Sequence, residues 1–375
     1  MSKAGEKAAS ASTPDESAGE NRGSMGSRRG GLLIAACGAG SYLAARIADR
    51  CRYLMAEACP EDTVDYLEDI DFQFSDSETC VRLEMDVSGK DVFVCQALYT
   101  PDFKHGVDQN LMSFLIAARA FSEWGASHIT AVLPYLAYAR QDNPTRLKRE
   151  PTTAKLIADL LLEAGIDRLI TVHPHSKVHG FFGKIPVLSL ESLPIFIEEF
   201  SRFRGRNDVI AVAPDPGASK FVAEFSRILE ISSAMASKYR PRREEAIVHE
   251  VIGEFEGKKT AIVLDDMVGT GGTVQALIRK LVEQRKIEEI YLGMTHNLCM
   301  KMALEKLLEL HLRYNLREVI TTDSIPQSGE FRSLPFARIR SLSEFISEII
   351  YRVHCDISVM EGPARTRDRS GPKIF

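Results

Sequence analysis

Apolar segments rich in β-branched residues recur along this chain of 375 residues and alternate with segments of helical periodicity. The apolar segments are residues 32–36, 91–96, 129–133, 169–172, 209–213, 261–264 and 289–294. Helical spacing of apolar side chains appears in residues 111–124, 153–164 and 274–284. Strands that alternate with helices usually form parallel sheets whose faces are covered by those helices. The sequence therefore predicts an α/β fold with mostly parallel central sheets.

The size and composition of the chain narrow the class of protein. With 45% hydrophobic residues, 375 residues are enough to bury a sizeable core and form two domains. The net charge of −5 argues against a general nucleic-acid-binding protein. No apolar run approaches the roughly 18 residues of a membrane span, and the seven cysteines include no Cys-x-x-Cys pair. We therefore expect reduced cysteines, no membrane partner and a cytoplasmic location.

Both ends of the chain are polar. Residues 1–30 contain no aromatic side chain, and residues 360–375 are rich in charged residues, Gly and Pro. Segments of this composition cannot bury enough apolar surface to offset the entropy lost on ordering. We expect a disordered tail at each end.

Residues 261–273, AIVLDDMVGTGGT, join an apolar strand, two carboxylates, a glycine-rich turn and the start of a helix. Backbone N–H groups of residues 269–273 can face one phosphate, aided by the positive end of the following helix. Asp265 and Asp266 would lie beside that phosphate and could hold sugar hydroxyls or a hydrated Mg²⁺. The segment lacks the Lys of a Walker A motif and the spacing of a dinucleotide fingerprint. The pattern favours a sugar-phosphate site over the alternative, an ordinary tight βα turn.

Charged or titratable side chains follow several of the predicted strands. Arg140, His175, Asp215 and Asp265 each come at or soon after the end of an apolar segment. Ligands of open parallel sheets bind where the carboxyl ends of strands meet their loops. We therefore expect these four side chains near one edge of the sheets.

Several further motifs are similar in order and spacing to those of the ribose-phosphate pyrophosphokinase family. They are FSDSET at 74–79, YARQD at 138–142, AKL at 154–156, His175 with GFF at 180–182, APDPG at 213–217 and IPQ at 325–327. The resemblance covers about residues 32–359. It implies two related phosphoribosyltransferase-like domains, which we place at 31–179 for the ATP side and 180–359 for the ribose 5-phosphate side.

The resemblance implies that ribose 5-phosphate attacks the β-phosphorus of Mg-ATP and that AMP leaves. Such a phosphoryl transfer depends on positioning and charge neutralisation. The residues that match the family's ribose 5-phosphate site are Asp265, Asp266, Gly269, Thr270, Gly271, Gly272 and Thr273. Gly269 stands where the family usually has an acid, which puts one ribose contact in doubt.

His175 and Asp215 match the family's metal-site histidine and aspartate, so the resemblance implies Mg²⁺ as the cofactor. Taken alone, a histidine after a strand is more often a hydrogen-bonded packing residue. His173 replaces an acid that is common two positions earlier, and the segment up to Gly180 is one residue shorter than usual. These departures would alter metal affinity, because histidine is a poorer Mg²⁺ partner than a carboxylate.

Lys238 and Arg240 match a Lys-x-Arg pair on the family's flexible catalytic loop. Two cations that close over the β-phosphoryl group would neutralise its developing charge in the transition state. By composition alone, the run SKYRPRR is more often a solvated basic hairpin tip.

The resemblance assigns ATP contacts to two separate motifs. Arg140 and Gln141 would contact ATP directly, with the guanidinium stacked on adenine. Phe74, Asp76 and Glu78 match residues that the family supplies from an adjacent subunit, which implies a homo-oligomer with shared ATP sites. Otherwise Phe74 would be a core residue, and Asp76 and Glu78 would belong to a solvated turn.

Two rival functions remain open at the level of sequence. A phosphoribosyltransferase would share the loop at Asp265 but has no need of the Arg140 and Phe74 motifs. A non-catalytic regulatory relative would bind active synthetase subunits, and Gly269 and His173 are the residues that favour it. Lys238, Arg240, His175 and Asp215 favour an active enzyme.

Overall fold

The computed structural model describes residues 29–58, 62–101, 105–145, 148–239, 247–298 and 300–359, with only the backbone at 58, 238–239 and 247–249. The tails predicted at 1–30 and 360–375 lie outside these residues, apart from Arg29 and Gly30. Arg29 donates a hydrogen bond from Nε to Oδ1 of Asp356 over 2.8 Å.

The first half of the chain builds a six-stranded sheet and a small hairpin. Its elements are β1 Leu32–Ala36, α1 Ser41–Ala58, β2 Val64–Leu67, β3 Asp71–Gln73, β4 Thr79–Val81, β5 Asp91–Cys95, α2 Val107–Glu123, β6 His128–Val132, α3 Thr153–Glu163, β7 Arg168–Val172 and β8 Val187–Leu190. The sheet has the order β2-β1-β5-β6-β7-β8, and every neighbouring pair is parallel. Strands β3 and β4 pair antiparallel outside it.

The second half builds a seven-stranded sheet. Its elements are α4 Leu193–Glu199, β9 Val209–Ala213, α5 Ser219–Leu229, β10 Ser232–Tyr239, β11 Ile247–Ile252, β12 Thr260–Val268, α6 Gly272–Glu283, β13 Glu289–Asn297, α7 Lys301–Arg313, β14 Leu316–Thr322, α8 Gly329–Arg332, β15 Ala337–Arg340 and α9 Ser343–His354. The order is β11-β10-β9-β12-β13-β14-β15, parallel except for the antiparallel pair β10 and β11.

The central strands are covered on both faces. All five residues of β1, of β5 and of β9 are buried, as expected of parallel strands between two layers of helices. Apolar clusters lie on both sides of each sheet, with Phe114 and Phe121 of α2 in one and Leu277 and Leu281 of α6 in another. The predicted α/β class with mostly parallel sheets is confirmed.

Residues after Gly180 also contribute to the six-stranded sheet and to the helices that cover it. Strand β8 pairs with β7, and α9 returns from the end of the chain to pack on α1. A fully buried pair fixes α9 there, because His354 Nδ1 lies 2.9 Å from Asp91 Oδ2 at the start of β5. The domain boundary near Gly180 stays a prediction.

Strand β12 is longer than the sequence pattern indicates. The predicted strand, 261–264, ends before the two carboxylates, whereas β12 continues to Val268. The extension follows from its pairing with β13, which includes Asp265 opposite Met294 and Val268 opposite Asn297. Asp265 and Asp266 are therefore strand residues and not loop residues, which gives them a fixed backbone.

Candidate active site

The second sheet has a topological switch point between β9 and β12. The chain leaves β9 through α5 toward β10 on one side, and leaves β12 through α6 toward β13 on the other. Such a divergence opens a crevice at the carboxyl ends of the two strands. Asp215 follows β9, and Asp265 and Asp266 lie in the last part of β12. The sheet order thus brings the predicted acidic residues to one crevice.

Asp265 and Asp266 have opposite electrostatic states. Asp265 is only 8% exposed, and burial, followed by the charge of Asp266, raises its pKa well above its usual range. Burial also acts to raise the pKa of Asp266, but the hydrogen bond and charge of His175 oppose it and the pKa falls to about 2. Asp266 is therefore the ionised partner of His175. The ionised form of Asp265 is unfavourable unless a ligand supplies compensating positive charge.

His175 crosses from the first half of the chain to reach Asp266. It follows β7, and its Nδ1 donates to Asp266 Oδ2 over 2.5 Å. This bond raises the pKa of His175 above its usual range against the effect of burial. A direct contact therefore joins the predicted metal histidine to the predicted sugar-phosphate strand.

Asp215 is held by its own turn. Its Oδ1 accepts hydrogen bonds from the N–H groups of Gly217 at 2.9 Å and Ala218 at 3.3 Å. Its charge also helps to raise the pKa of Asp265, which indicates that the acidic groups share one region. His175 bonds to Asp266, and the described residues contain no group of three His, Cys, Asp or Glu side chains arranged to hold a metal. Direct ligation by His175 and Asp215 stays a prediction.

The glycine-rich loop packs against α7. Gly271 has φ of +74° and precedes the first turn of α6, a conformation that favours glycine. A Cβ added at Gly271 would lie 3.4 Å from Cα of Ala303. Gly272 and Thr273, predicted as loop residues, are instead the first two residues of α6. Their N–H groups belong to the unsatisfied end of the helix, where an anion is favoured.

The turn that carries Arg140 and Gln141 adjoins His175. Ser176 donates from Oγ to the carbonyl of Ala139 over 3.0 Å, and Arg140 contributes to the electrostatic environment of His175. Arg140 itself is exposed. Gln141 Oε1 accepts a 2.6 Å hydrogen bond from Thr153 Oγ1 at the start of α3. The structure therefore brings Arg140 close to His175, while Gln141 fixes the helix behind the turn.

Phe74, Asp76 and Glu78 lie on the exposed turn between β3 and β4. Phe74 is 50% exposed and meets the ring of Phe72 edge-on at 5.5 Å. Asp76 Oδ1 accepts from the N–H of Glu78 over 3.1 Å. Within the described part of this chain, their contacts stay inside the hairpin, so the structure does not join them to Arg140 or His175.

The predicted catalytic pair falls at the limit of the described residues. The backbone of Lys238 lies in β10, next to β9, and the pairing with β11 shifts register between Ser237 and Lys238. Arg240 lies outside the described residues. Lys238 is thus carried by the same sheet as Asp215 and Asp265.

Two features of the site were not predicted from the sequence. Beside His175 lies a cleft of about 690 Å³, whose lining includes Lys177, His179, Lys220 and Glu224. The second is Lys306 of α7, whose Nζ donates to the carbonyl of Thr270 over 2.8 Å. The sequence carries no signal for Lys306, because it is one of many charged residues on an amphipathic helix.

Comparisons with known proteins identify the family. The N-terminal domain of ribose phosphate pyrophosphokinase matches residues 32–165, and the phosphoribosyl transferase domain matches residues 195–311. A ribose-phosphate pyrophosphokinase from Caldanaerobacter subterraneus is 37% identical over 287 residues, 76% of this chain and 86% of that protein. The chain belongs to the ribose-phosphate pyrophosphokinase family. Another member, from Marinomonas sp., is 35% identical over 75% of this chain and 86% of its own length.

A solved structure agrees with this membership of the ribose-phosphate pyrophosphokinase family. The phosphoribosylpyrophosphate synthetase from Mycobacterium smegmatis matches with a TM-score of 0.72 at 28% identity. The match covers 86% of this chain and 98% of that one. The fold is therefore two phosphoribosyltransferase-like domains. No helix among the described residues is both long and apolar enough to span a membrane.

His173 occupies a position where ribose-phosphate pyrophosphokinases commonly have an acid. Its contacts are those of a packing residue. Its Nδ1 lies 2.7 Å from Ser192 Oγ and 3.2 Å from Thr295 Oγ1, and its ring meets Phe221 edge-on at 4.6 Å. Burial lowers its pKa, so it is neutral at neutral pH. It ties the end of β7 to the second sheet and does not replace the missing negative charge.

Gly269, the other departure from the ribose-phosphate pyrophosphokinase pattern, faces apolar side chains. A Cβ added there would lie 3.5 Å from Leu298 Cδ1 and 4.0 Å from Met300 Sδ. A carboxylate directed toward these groups would be costly to desolvate. The apolar neighbours give a physical reason for the absence of an acid.

Proposed function

We propose that this chain transfers the β,γ-diphosphate of Mg-ATP to the 1-hydroxyl of ribose 5-phosphate, giving 5-phosphoribosyl 1-diphosphate and AMP for nucleotide biosynthesis. The observation that carries the proposal is the 2.5 Å bond between His175 and Asp266. It joins the ATP side to the sugar-phosphate side at a topological switch point. The reaction needs the two substrates to meet at such a junction.

Ribose 5-phosphate is placed on the second sheet. Backbone N–H groups of residues 269–273 cradle the 5-phosphate at the start of α6. Asp265 and Asp266 accept hydrogen bonds from the ribose hydroxyls, and such bonds to a carboxylate in a partly dry site are strong. The fixed backbone of β12 orients the 1-hydroxyl toward the first half of the chain.

The residues present suit Mg²⁺. Burial, then the charge of Asp266 and to a smaller extent that of Asp215, raises the pKa of Asp265, so its ionised form is unfavourable here unless a cation such as Mg²⁺ accompanies it. His175 and Asp215 would hold the ion, with waters and ATP oxygens completing its shell. When bound, Mg²⁺ neutralises charge on the transferred diphosphate.

ATP is placed on the first half, with Arg140 stacked on adenine and Gln141 beside it. Phe74, Asp76 and Glu78 complete the adenine pocket of a neighbouring subunit, so the active form is a homo-oligomer. The exposure of Phe74 and its confinement to the hairpin support this assignment. Lys238 and Arg240 close over the β-phosphoryl group and neutralise its charge in the transition state.

We further infer a cytoplasmic enzyme. Among the described residues, the cysteines at positions 37, 51, 80 and 95 are free thiols. Reduced cysteines are usual in the cytosol and unusual in secreted proteins.

The proposed function is tested by measuring AMP formed from ATP and Mg²⁺ with and without ribose 5-phosphate. We expect AMP only when the sugar phosphate is present. The Asp266→Asn variant should form far less AMP, because it loses the ionised partner of His175. A phosphoribosyltransferase or a purely regulatory relative would form no AMP under these conditions, and that result would refute the proposal.

The raised pKa of His175 predicts a pH-dependent requirement for Mg²⁺. Its hydrogen bond to Asp266 favours the protonated ring, whereas a metal ligand must be neutral. As the pH falls from about 8 to about 6, protons compete better and half-maximal activity should need more Mg²⁺. The measurement is a series of Mg²⁺ activation curves across this range.

The glutamine of His175→Gln cannot be protonated. At high pH, this variant should need more Mg²⁺ than the wild type for half-maximal activity. Its Mg²⁺ requirement should lack the excess pH dependence of the wild type. The matched control is His105→Gln, since His105 bonds to Gln109 on α2 and does not line the cleft beside His175. It should behave as the wild type. If His175→Gln keeps the wild-type pH dependence, His175 does not bind the metal.

A further inference from the structure

Lys306 lies over the glycine-rich loop from the neighbouring helix. Its Nζ donates to the carbonyl of Thr270 over 2.8 Å. A Cβ added to Gly272 would lie 3.8 Å from the same Nζ, and one added to Gly271 would lie 3.6 Å from Lys306 Cδ. The aliphatic stem therefore packs on the loop, and the ammonium lies beside the first residue of α6.

The position of Lys306 is fixed by a clamp between α6 and α7. Both carboxylate oxygens of Glu309, one turn further along α7, accept hydrogen bonds from α6. Gln275 Nε2 donates to one over 2.6 Å, and Arg279 Nη2 donates to the other over 2.5 Å. Glu309 is thus occupied, and the clamp holds α7 in register against the loop.

The ammonium of Lys306 has N–H donors available for a further ligand. Among the described residues, no carboxylate forms an ion pair with it, and its hydrogen bond goes to the neutral carbonyl of Thr270. A lysine ammonium has three N–H donors, so about two remain for a ligand. A half-buried cation beside the start of a helix adds to the positive potential there.

We propose that Lys306 is a direct ligand of the 5-phosphate of ribose 5-phosphate. This inference rests on the proposed function, since it deepens the assignment of the same loop. Lys306 closes the phosphate cradle from the α7 side, where the loop itself offers only backbone N–H groups and the hydroxyls of Thr270 and Thr273. Because Gly269 carries no carboxylate, the phosphate meets less negative charge in the loop.

The test is calorimetric titration of ribose 5-phosphate into the full chain with Mg²⁺ and the non-cleavable analogue α,β-methylene-ATP. Lys306→Met should weaken binding by about 10- to 100-fold, the usual range for a hydrogen bond to a charged group. Lys306→Arg should recover most of the affinity, because it keeps the charge and donors. The control is Lys301→Met, since Lys301 is exposed at the start of the same helix, and it should bind as the wild type.

The salt dependence separates a direct contact from a structural role. A direct charge contact makes wild-type affinity fall more steeply with KCl than that of Lys306→Met. Equal slopes, or unchanged affinity in Lys306→Met, would overturn the inference while leaving the proposed function intact. If the wild type binds no ribose 5-phosphate and forms no AMP, the proposed function itself fails, and this inference with it. Melting temperatures near the wild-type value establish that each variant is folded.

Discussion

Replacing Lys238 or Arg240 with alanine should lower kcat by about 100- to 1,000-fold while the KM for ATP changes little. Each loss corresponds to about 3–4 kcal/mol, the range measured for other groups that stabilise transition-state charge. The reason is that a cation on a closing loop acts mainly on the transition state, whereas ground-state binding depends on other contacts. Steady-state kinetics with both substrates varied measure the two quantities separately.

The matched control for these variants is Arg243→Ala. Arg243 belongs to the same basic run, SKYRPRR, but has no assigned role. It should retain kcat within a few-fold. Near-normal kcat in the Lys238 and Arg240 variants would exclude them from catalysis. An equal loss in all three would mean that the run supplies general positive charge and not two placed cations.

Mixing two inactive variants, Phe74→Ala and Lys238→Ala, should restore activity if the ATP site is shared between subunits. Each site would take Phe74 from one subunit and Lys238 from its neighbour. In a random mixture of equal amounts, roughly a quarter of the sites would hold both native residues. At low ATP, where loss of the aromatic contact weakens binding most, the mixture should therefore far exceed either variant alone.

Two controls make the mixing experiment decisive. Differently tagged chains must co-purify, which establishes that subunits have exchanged. A mixture of Lys238→Ala with Asp266→Asn should not regain the same level of activity. Both residues lie on the second sheet of one chain, so exchange of the hairpin between subunits does not combine the two native residues in one site. If mixed oligomers form and the first pair stays inactive, the adenine pocket lies within a single chain.

The local part of the fold could be predicted from the sequence. β1 and β9 have the predicted bounds, because fully buried parallel strands are continuous apolar runs that turn residues terminate. The strands without a predicted counterpart include β2 and β8, which are short and half-buried at the sheet edge. β10 was also missed, because its sequence, SSAMASKY, contains no β-branched residue.

The arrangement of the site was less accessible to sequence reasoning. The resemblance supplied the functional residue types, and the sheet order brings Asp215, Asp265 and Asp266 to one crevice. The bond between His175 and Asp266 joins residues 91 positions apart and depends on how the halves pack. The same holds for Lys306 and Thr270, because the contact requires α7 to be clamped against α6. Such contacts leave no periodic trace in the sequence.

The most direct test of the central claim follows the label of ATP that is radioactive at the γ-phosphate. The chain is incubated with this ATP, Mg²⁺ and ribose 5-phosphate, and the products are separated by anion-exchange chromatography. Transfer of the intact diphosphate predicts label in 5-phosphoribosyl 1-diphosphate and unlabelled AMP in equal amount. Label that appears instead in free phosphate or in a singly transferred phosphate, with ADP as the nucleotide product, would contradict the account.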